Sequence, residues 1–409
     1  MPPARARRRV TGEQVEDAMK IAMVGQKGIP ATYGGIERHV EEIATRLVER
    51  GHQVTVYSRL YYSHHHGPYR GVSNVRLPSV RTKHLDAITH SGFATLHAAL
   101  SGNDIVHFHA LGPSVFSFLP RVFGAKTVVT IHGLDWQRGK WGTFAARFLR
   151  ACEVPSVRFP DGTIVVSKTL AGYYRSKHST NTLVIPNGTN PGTLRPPNRI
   201  KRWGLDRHPY VLWVGRLVPE KGCHYLIEAF RRLDTDAHLV MAGGSSFSDS
   251  YVQSLERLRG DDERIQMVGY VYGDVLDELW SNAYLVVQPS ILEGLSIALI
   301  EALSYGRCTL VSDIPENLEV VEDCAVTFRS RDVEDLRAKL QMCLDHPDMV
   351  AATAERCRQL AEERYSWPRL VEATEAFYQA LLDGQAEAMI QRQMQSFAEH
   401  SCPPSGEGG

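Results

Sequence analysis

The sequence predicts an α/β protein built of two doubly wound, Rossmann-like domains that face each other across a cleft. Three observations carry that expectation. With 409 residues, the chain is too long for one ordinary core. Short β-rich runs alternate with longer helical patterns, as parallel α/β architecture requires. The alternation pauses at a Pro/Gly/Asn-rich stretch, PNGTNPGTLRPPNR, beginning at Pro186, and then restarts.

Residues 1–19 contain arginines with no apolar run behind them, so they read as a disordered extension and not as a signal peptide. A basic arm that touches anionic lipid or another polyanion is the alternative. The first domain is expected over 20–186, with strands in KIAMVG, QVTVYSR, DIVHFHA, KTVVTIHG, GTIVVSK and TLVIPNG. Between the first two, GIERHVEEIATRLVERG places Ile36, Val40, Ile43, Leu47 and Val48 on one helical face, with Gly51 set to end the helix. A linker follows over 187–200. The second domain, 201–364, restarts the pattern with YVLWVGR, AHLVMAGG, RIQMVGY, YLVVQPS and CTLVSD. An amphipathic helix is expected over 365–388, and a disordered tail over 389–409.

Composition narrows the function. Hydrophobic residues make up 43% and charged residues 22%, which is globular. Lys plus Arg equals Asp plus Glu at 46 each, so nothing in the global charge points to nucleic acid. The seven cysteines lack CxxC spacing, which reads as a reduced, cytoplasmic chain without a zinc site or disulfide framework. No apolar run approaches the length of a membrane span. Peripheral contact with the inner membrane face, through basic and aromatic surface such as RFLR near Arg147, stays open beside an ordinary amphipathic helix.

Paired Rossmann-like domains first suggest a dinucleotide, and the residues disfavour it. The loop after the first strand reads GQKGIPATYGGIE instead of GxGxxG, and the second strand ends without an acidic residue for a ribose. There is no GxxxxGK[ST] phosphate loop either. Other groups still point to an anion. Gly34 and Gly35 precede a helix, where bare amides and the helix dipole favour phosphate, although a plain strand-to-helix turn would look the same. In GRLVPEKG, Arg216 and Lys221 stand just past a strand end, as phosphate ligands or as solvated surface cations. The stretch SILEGLSIALIEALSYG carries two carboxylates, Glu293 and Glu301, around an apolar run. Glu293 lies on the loop leaving a strand, Ser296 is placed to cap the next helix, and Glu301 lies about 7 Å along it at 1.5 Å per residue. That offset suits a carboxylate gripping ribose hydroxyls beside a phosphate.

Together GGIERHV, TIHG, GRLVPEKG and EGLSIALIE resemble the retaining GT-B glycosyltransferases of family 4, in the expected order and from about Lys20 to Leu382. The spacing of Glu293 and Glu301 is the most specific match. The opening MVGQKGIPATYGGIERHVEEI further resembles a subgroup associated with rhamnosyl and related transfers in cell-surface polysaccharide assembly. The resemblance implies a GT-B fold and transfer of a hexose or deoxyhexose from a nucleotide-diphosphate sugar to a saccharide or lipid-linked acceptor. It implies no cofactor and no metal. By the same resemblance Gly34 and Gly35 line the donor phosphate site, Arg216 and Lys221 neutralise the leaving diphosphate, and Leu295 and Ser296, with Gly294 in the same loop, add donor contacts. Glu301 would hold the ribose and Glu293 the sugar hydroxyls. His132 would stand beside the anomeric centre. The C-terminal helix would cross back to brace the first domain, anchored by Trp367.

Seventeen histidines surround that assignment, and only His132 matches both a strand end and the family motif. The run His64–His66 reads as a solvated loop with adventitious metal binding as the alternative, while His107 and His109 line the cleft or simply pack. Two other functions share the architecture: a sugar-nucleotide epimerase that needs no acceptor, and a non-catalytic scaffold.

Overall fold

The computed structural model describes residues 18–400, apart from 33, 83–84, 138–141 and 246–247. The arginine-rich residues 1–17 and residues 401–409 lie outside the described part. The first sheet contains seven parallel strands, β1 Lys20–Val24, β2 Gln53–Arg59, β3 Ser73–Leu77, β4 Ile105–His109, β5 Lys126–Ile131, β6 Gly162–Val165 and β7 Leu183–Val184. Their spatial order is β3-β2-β1-β4-β5-β6-β7. The second sheet contains six, β8 Tyr210–Val214, β9 His238–Ala242, β10 Ile265–Gly269, β11 Leu285–Gln288, β12 Thr309–Ser312 and β13 Val326–Phe328, in the order β10-β9-β8-β11-β12-β13, again all parallel. Each sheet is wound outward from its first strand and then in the other direction. The switch points lie between β1 and β4 and between β8 and β11, where loops at the strands' C-terminal ends form a crevice.

The central strands are apolar throughout because both faces are covered. In β1, Ile21 and Met23 enter one core cluster while Ala22 and Val24 enter the other. In β8, Val211 and Trp213 point to one side and Tyr210 and Leu212 to the opposite one. The helix Gly35–Glu49 lays Val40, Ile43 and Leu47 into the first core, with Ile36 and Val48 packed at its margin. Each such side chain contributes about 1.5–3 kcal/mol by burial.

Two strands, β3 and β13, were not among those expected from the sequence. Both are edge strands: SNVRL is mostly polar, and VTF is three residues long. Polar or short edges resist unwanted pairing and also erase the hydrophobic signal.

The C-terminal segment differs from expectation as well. Instead of a disordered tail from 389, a helix runs over Ala386–His400. Met389 and Ile390 pack against the first core, and Gln393 closes the edge of β7. Its Oε1 accepts from the Val184 amide at 2.7 Å and its Nε2 donates to the Val184 carbonyl at 2.9 Å.

The chain crosses between the sheets twice, and the crossings touch. The Thr189 amide donates to the Tyr365 carbonyl at 2.7 Å, and the Trp367 amide donates to the Thr189 carbonyl at 3.3 Å. Trp367 is 1% exposed and lies against Gly188, where a Cβ would come within 2.6 Å of the indole. The helix Trp367–Leu382 then buries Phe377, Tyr378 and Leu381 in the first core. Replacing Trp367 with alanine is therefore expected to cost about 3–5 kcal/mol. Urea unfolding would measure it, and a loss below about 1 kcal/mol would mean that the indole is no anchor. The linker's far end is held by Glu278, whose Oε2 accepts from the amides of Asn198, Arg199 and Ile200 at 2.9, 2.6 and 3.2 Å.

Candidate active site

The residues singled out in the sequence follow the C-terminal ends of β1, β5, β8 and β11, in loops or, for Gly35 and Glu301, in the helices those loops enter, so the two switch points bring them to one crevice. Gly34 caps the helix Gly35–Glu49 with φ 106°, a conformation that only glycine adopts without strain. A Cβ there would also lie 2.0 Å from Glu37 Oε2. Gly35 faces the second domain, where a Cβ would stand 2.9 Å from Ile297 Cδ1. The N-terminus of the first helix thus abuts the N-terminus of the helix Ile297–Ser304.

Two loops of the second domain are docked together. Gly222, at φ 67°, approaches so closely that a Cβ would be 1.9 Å from the Pro289 carbonyl oxygen, and the Ile291 amide donates to Glu220 at 2.9 Å. This docking delivers Lys221 to Glu293, with Nζ 2.5 Å from Oε1. The same carboxylate oxygen accepts from Ser290 Oγ at 2.6 Å and Gln288 Nε2 at 2.8 Å. Burial alone would raise the Glu293 carboxyl, but the Lys221 ammonium and these hydrogen bonds hold it below the usual range. Lys221 and Glu293, each expected to meet the donor separately, are thus partners in this state.

Glu301 meets the first domain. Arg38 Nη1 lies 3.2 Å from Glu301 Oε1, and the Glu301 side chain is 13% exposed. Burial raises the Glu301 carboxyl and Arg38 opposes the shift. Arg216 lies within the electrostatic reach of Lys27, which the β1 loop contributes from the opposite wall. Burial lowers the Lys27 ammonium, Glu37 offsets this, and Arg59 and then Arg216 add to it.

Ser296 caps its helix as its position predicts: Oγ accepts from the Leu299 amide at 3.4 Å and from Gln288 Nε2 at 3.1 Å. The Leu295 carbonyl accepts from Asn187 Nδ2 at 3.3 Å. Gly294 fits directly under the first domain, where a Cβ would be 2.1 Å from the His132 carbonyl oxygen and 3.1 Å from Gly133 Cα.

His132 stands half-buried at the end of β5, its Nε2 3.3 Å from His109 Nδ1. His39, from the first helix, lies edge-on to His132 with ring centroids 4.7 Å apart. His107 and His109 pack and do not open to the cleft, both being 0% exposed. His107 is held by Tyr378 Oη and Thr130 Oγ1, each at 2.6 Å. Burial pushes His39 down to about 4 and His107 down to about 3, and it lowers His109 strongly, with the neighbouring imidazoles adding to the effect. The buried part of this cluster is therefore neutral near pH 7.

Sequence reasoning missed Lys27, Arg38, His39, Asn187, Gln288 and Ser290. Lys27, Arg38 and His39 stood inside GQKGIPATYGGIERHV, and Gln288 and Ser290 flank Pro289 before ILEG. A charged or amide side chain at a switch-point loop was the available signal.

Two family models match the chain, glycosyltransferase family 4 over residues 33–192 and glycosyl transferases group 1 over 197–364. An uncharacterized glycosyltransferase of Methanocaldococcus jannaschii is 26% identical over 389 residues, covering 89% of this chain and 99% of its own. Among solved structures, sucrose-phosphate synthase from Thermosynechococcus elongatus superimposes with a TM-score of 0.78 at 20% identity, over 90% of this chain and 100% of its own. HepE of Anabaena, in complex with UDP-glucose, gives a TM-score of 0.73 at 18% identity, over 88% of this chain and 99% of its own.

Proposed function

Because the chain is a glycosyltransferase of the group 1 type in a GT-B fold, we propose that it moves a hexose or deoxyhexose, with retained configuration, from a nucleotide-diphosphate sugar to a saccharide or lipid-linked acceptor. Cell-surface polysaccharide or glycolipid assembly is the setting we assign. The observation that carries the reading is the abutment of two helix N-termini, at Gly35 and Ile297, beside the Lys221–Glu293 pair, since bare amides and helix dipoles favour a phosphate. HepE, whose structure holds UDP-glucose, supports a donor of that chemistry.

In this reading the second domain holds the nucleotide sugar and the first presents the acceptor. Glu301 takes the ribose hydroxyls, giving up part of its contact with Arg38. Glu293, kept ionised by Lys221, accepts from hydroxyls of the transferred sugar. Gly34, Gly35, Gly294, Leu295 and Ser296 bring backbone close to the donor, with helix N-termini adding positive potential. The bond from the anomeric carbon to the diphosphate breaks, the acceptor oxygen bonds to that carbon on the same face, and the acceptor proton passes to the departing phosphate oxygen. Arg216 and Lys221 stabilise the charge that develops there without a metal or other cofactor, and His132 stands by the anomeric centre.

Acceptor-dependent release of nucleoside diphosphate would test this reading. Sugar turnover without acceptor would point to an epimerase, and donor binding with no turnover would point to a scaffold. Among the described residues no helix is long and apolar enough to cross a membrane. For a lipid-linked acceptor we assign peripheral contact to the helix Thr143–Ala151, where Phe144 is 87% exposed and Phe148 43%. Sedimentation with anionic vesicles should weaken in Phe144→Asp; an unchanged bound fraction would remove this helix from the proposal.

A further inference from the structure

Three imidazoles from three separate elements converge beneath the cleft wall: His39 from the helix Gly35–Glu49, His109 from the end of β4 and His132 from the end of β5. One ligand nitrogen from each lies within 4.8 Å of the others, and no other such group of potential metal ligands occurs among the described residues. One pair, His109 Nδ1 and His132 Nε2, is 3.3 Å apart, within hydrogen-bonding distance. Two nitrogens bound to one tetrahedral ion at 2.0–2.1 Å would be separated by about 3.4 Å, so that pair already has the required spacing.

The cluster's own hydrogen bonding is incomplete. His39 Nδ1 is buried without a hydrogen-bond partner, on a residue 2% exposed. Orphaned buried nitrogens are uncommon and call for a ligand or an ion. His107, locked by Tyr378 and Thr130, packs against His109 with ring centroids 4.2 Å apart and holds that ring in place.

We infer that His39, His109 and His132 form a binding site for a borderline divalent transition ion, zinc foremost, whose occupation takes His132 out of use and slows the enzyme. An all-imidazole set suits zinc, cobalt, nickel or copper and disfavours magnesium and calcium, which prefer oxygen. Three imidazoles leave a fourth position for water or a substrate oxygen. Binding requires nitrogen pairs now at most 4.8 Å apart to close to about 3.4 Å. The run His64–His66 reads from the sequence as a solvated loop, with adventitious metal binding as the alternative, and its rings form no such group: His65 contacts the Pro68 carbonyl at 3.0 Å and His66 contacts Arg76. The ion site stands independently of the transferase reading. Only its effect on turnover rests on that reading.

Calorimetric titration of the full chain with zinc, with cobalt as the optical probe, tests the site. The expected result is one zinc per chain, strong visible absorption from tetrahedral cobalt, and no heat from magnesium. His39→Gln, which keeps a polar side chain of similar reach, should weaken zinc binding at least tenfold and remove the cobalt bands. The triple variant His64→Ala, His65→Ala and His66→Ala should leave both unchanged. Zinc that fails to bind, that is lost in the triple variant, or that is indifferent to His39→Gln overturns the inference. Circular dichroism of His39→Gln separates misfolding from ligand loss, and if that variant misfolds, His109→Gln takes its place under the same criteria. In a turnover assay zinc should slow the wild type more than His39→Gln. If no transfer is found at all, the binding and absorption results still decide the site.

Discussion

Replacing Lys221 with methionine is expected to lower stability by about 3–5 kcal/mol and turnover by about 10²–10³-fold. The Lys221 and Glu293 side chains are only 14% and 8% exposed, so removing the ammonium strands a buried carboxylate with only Ser290 and Gln288 to satisfy it. The double variant Lys221→Met with Glu293→Gln should regain much of the stability, because neither charge is then left alone, but none of the turnover. Urea unfolding and donor turnover, measured on all members of the cycle, separate the two effects. The pH dependence has a definite sign. Glu293 is held below its ordinary value, so its contribution is complete above the unfolded carboxylate range, near pH 4.3, and disappears as pH falls through the lower folded value. Glu293→Gln should therefore flatten the acid limb of stability. An unaltered acid limb would mean that the pair is energetically silent.

The second large effect is expected from Gly294→Ala. A Cβ at this position would stand 2.1 Å from the His132 carbonyl oxygen and 3.1 Å from Gly133 Cα, both backbone atoms that cannot rotate aside. Relief requires the loop carrying Glu293 to withdraw from the β5 end, which widens the cleft by about an ångström or more. A displacement of that size costs about 10²-fold in rate when reacting groups must be aligned. Both sheets should remain folded, since Gly294 lies outside every strand and helix. Retained circular dichroism with collapsed kcat/KM is the expected result. A variant that turns over normally would show that this interdomain contact does not position the site.

The sequence made the interior strands and the motif loops legible for one reason: strands buried on both faces are apolar throughout, and their C-terminal ends carry the residues that face a ligand. Edge strands β3 and β13 escaped because an edge need not be hydrophobic. The helix Ala386–His400 escaped because its clearest anchor is an amide, Gln393, on the β7 edge, which no hydrophobic pattern signals. At the site, residue types and strand-end positions could be read, but partners could not. Lys221 and Glu293 are 72 positions apart, and only the close approach of Gly222 to Pro289 brings them together. Arg38 belongs to the opposite domain from Glu301, so their pairing depends on how the two domains face each other. The His39, His109 and His132 cluster similarly gathers one helix and two strand ends, which no local spacing encodes.

Calorimetric titration of UDP, GDP and dTDP into the wild type and into Glu301→Ala is the most direct test of the proposed donor site. Strong binding of one nucleotide, weakened at least tenfold by the substitution, is the predicted result, with Glu301 exchanging its contact with Arg38 for ribose hydroxyls. If no nucleotide bound, or if Glu301→Ala bound as well as the wild type, Glu301 would be only an interdomain ion-pair partner and the proposed donor site would be contradicted.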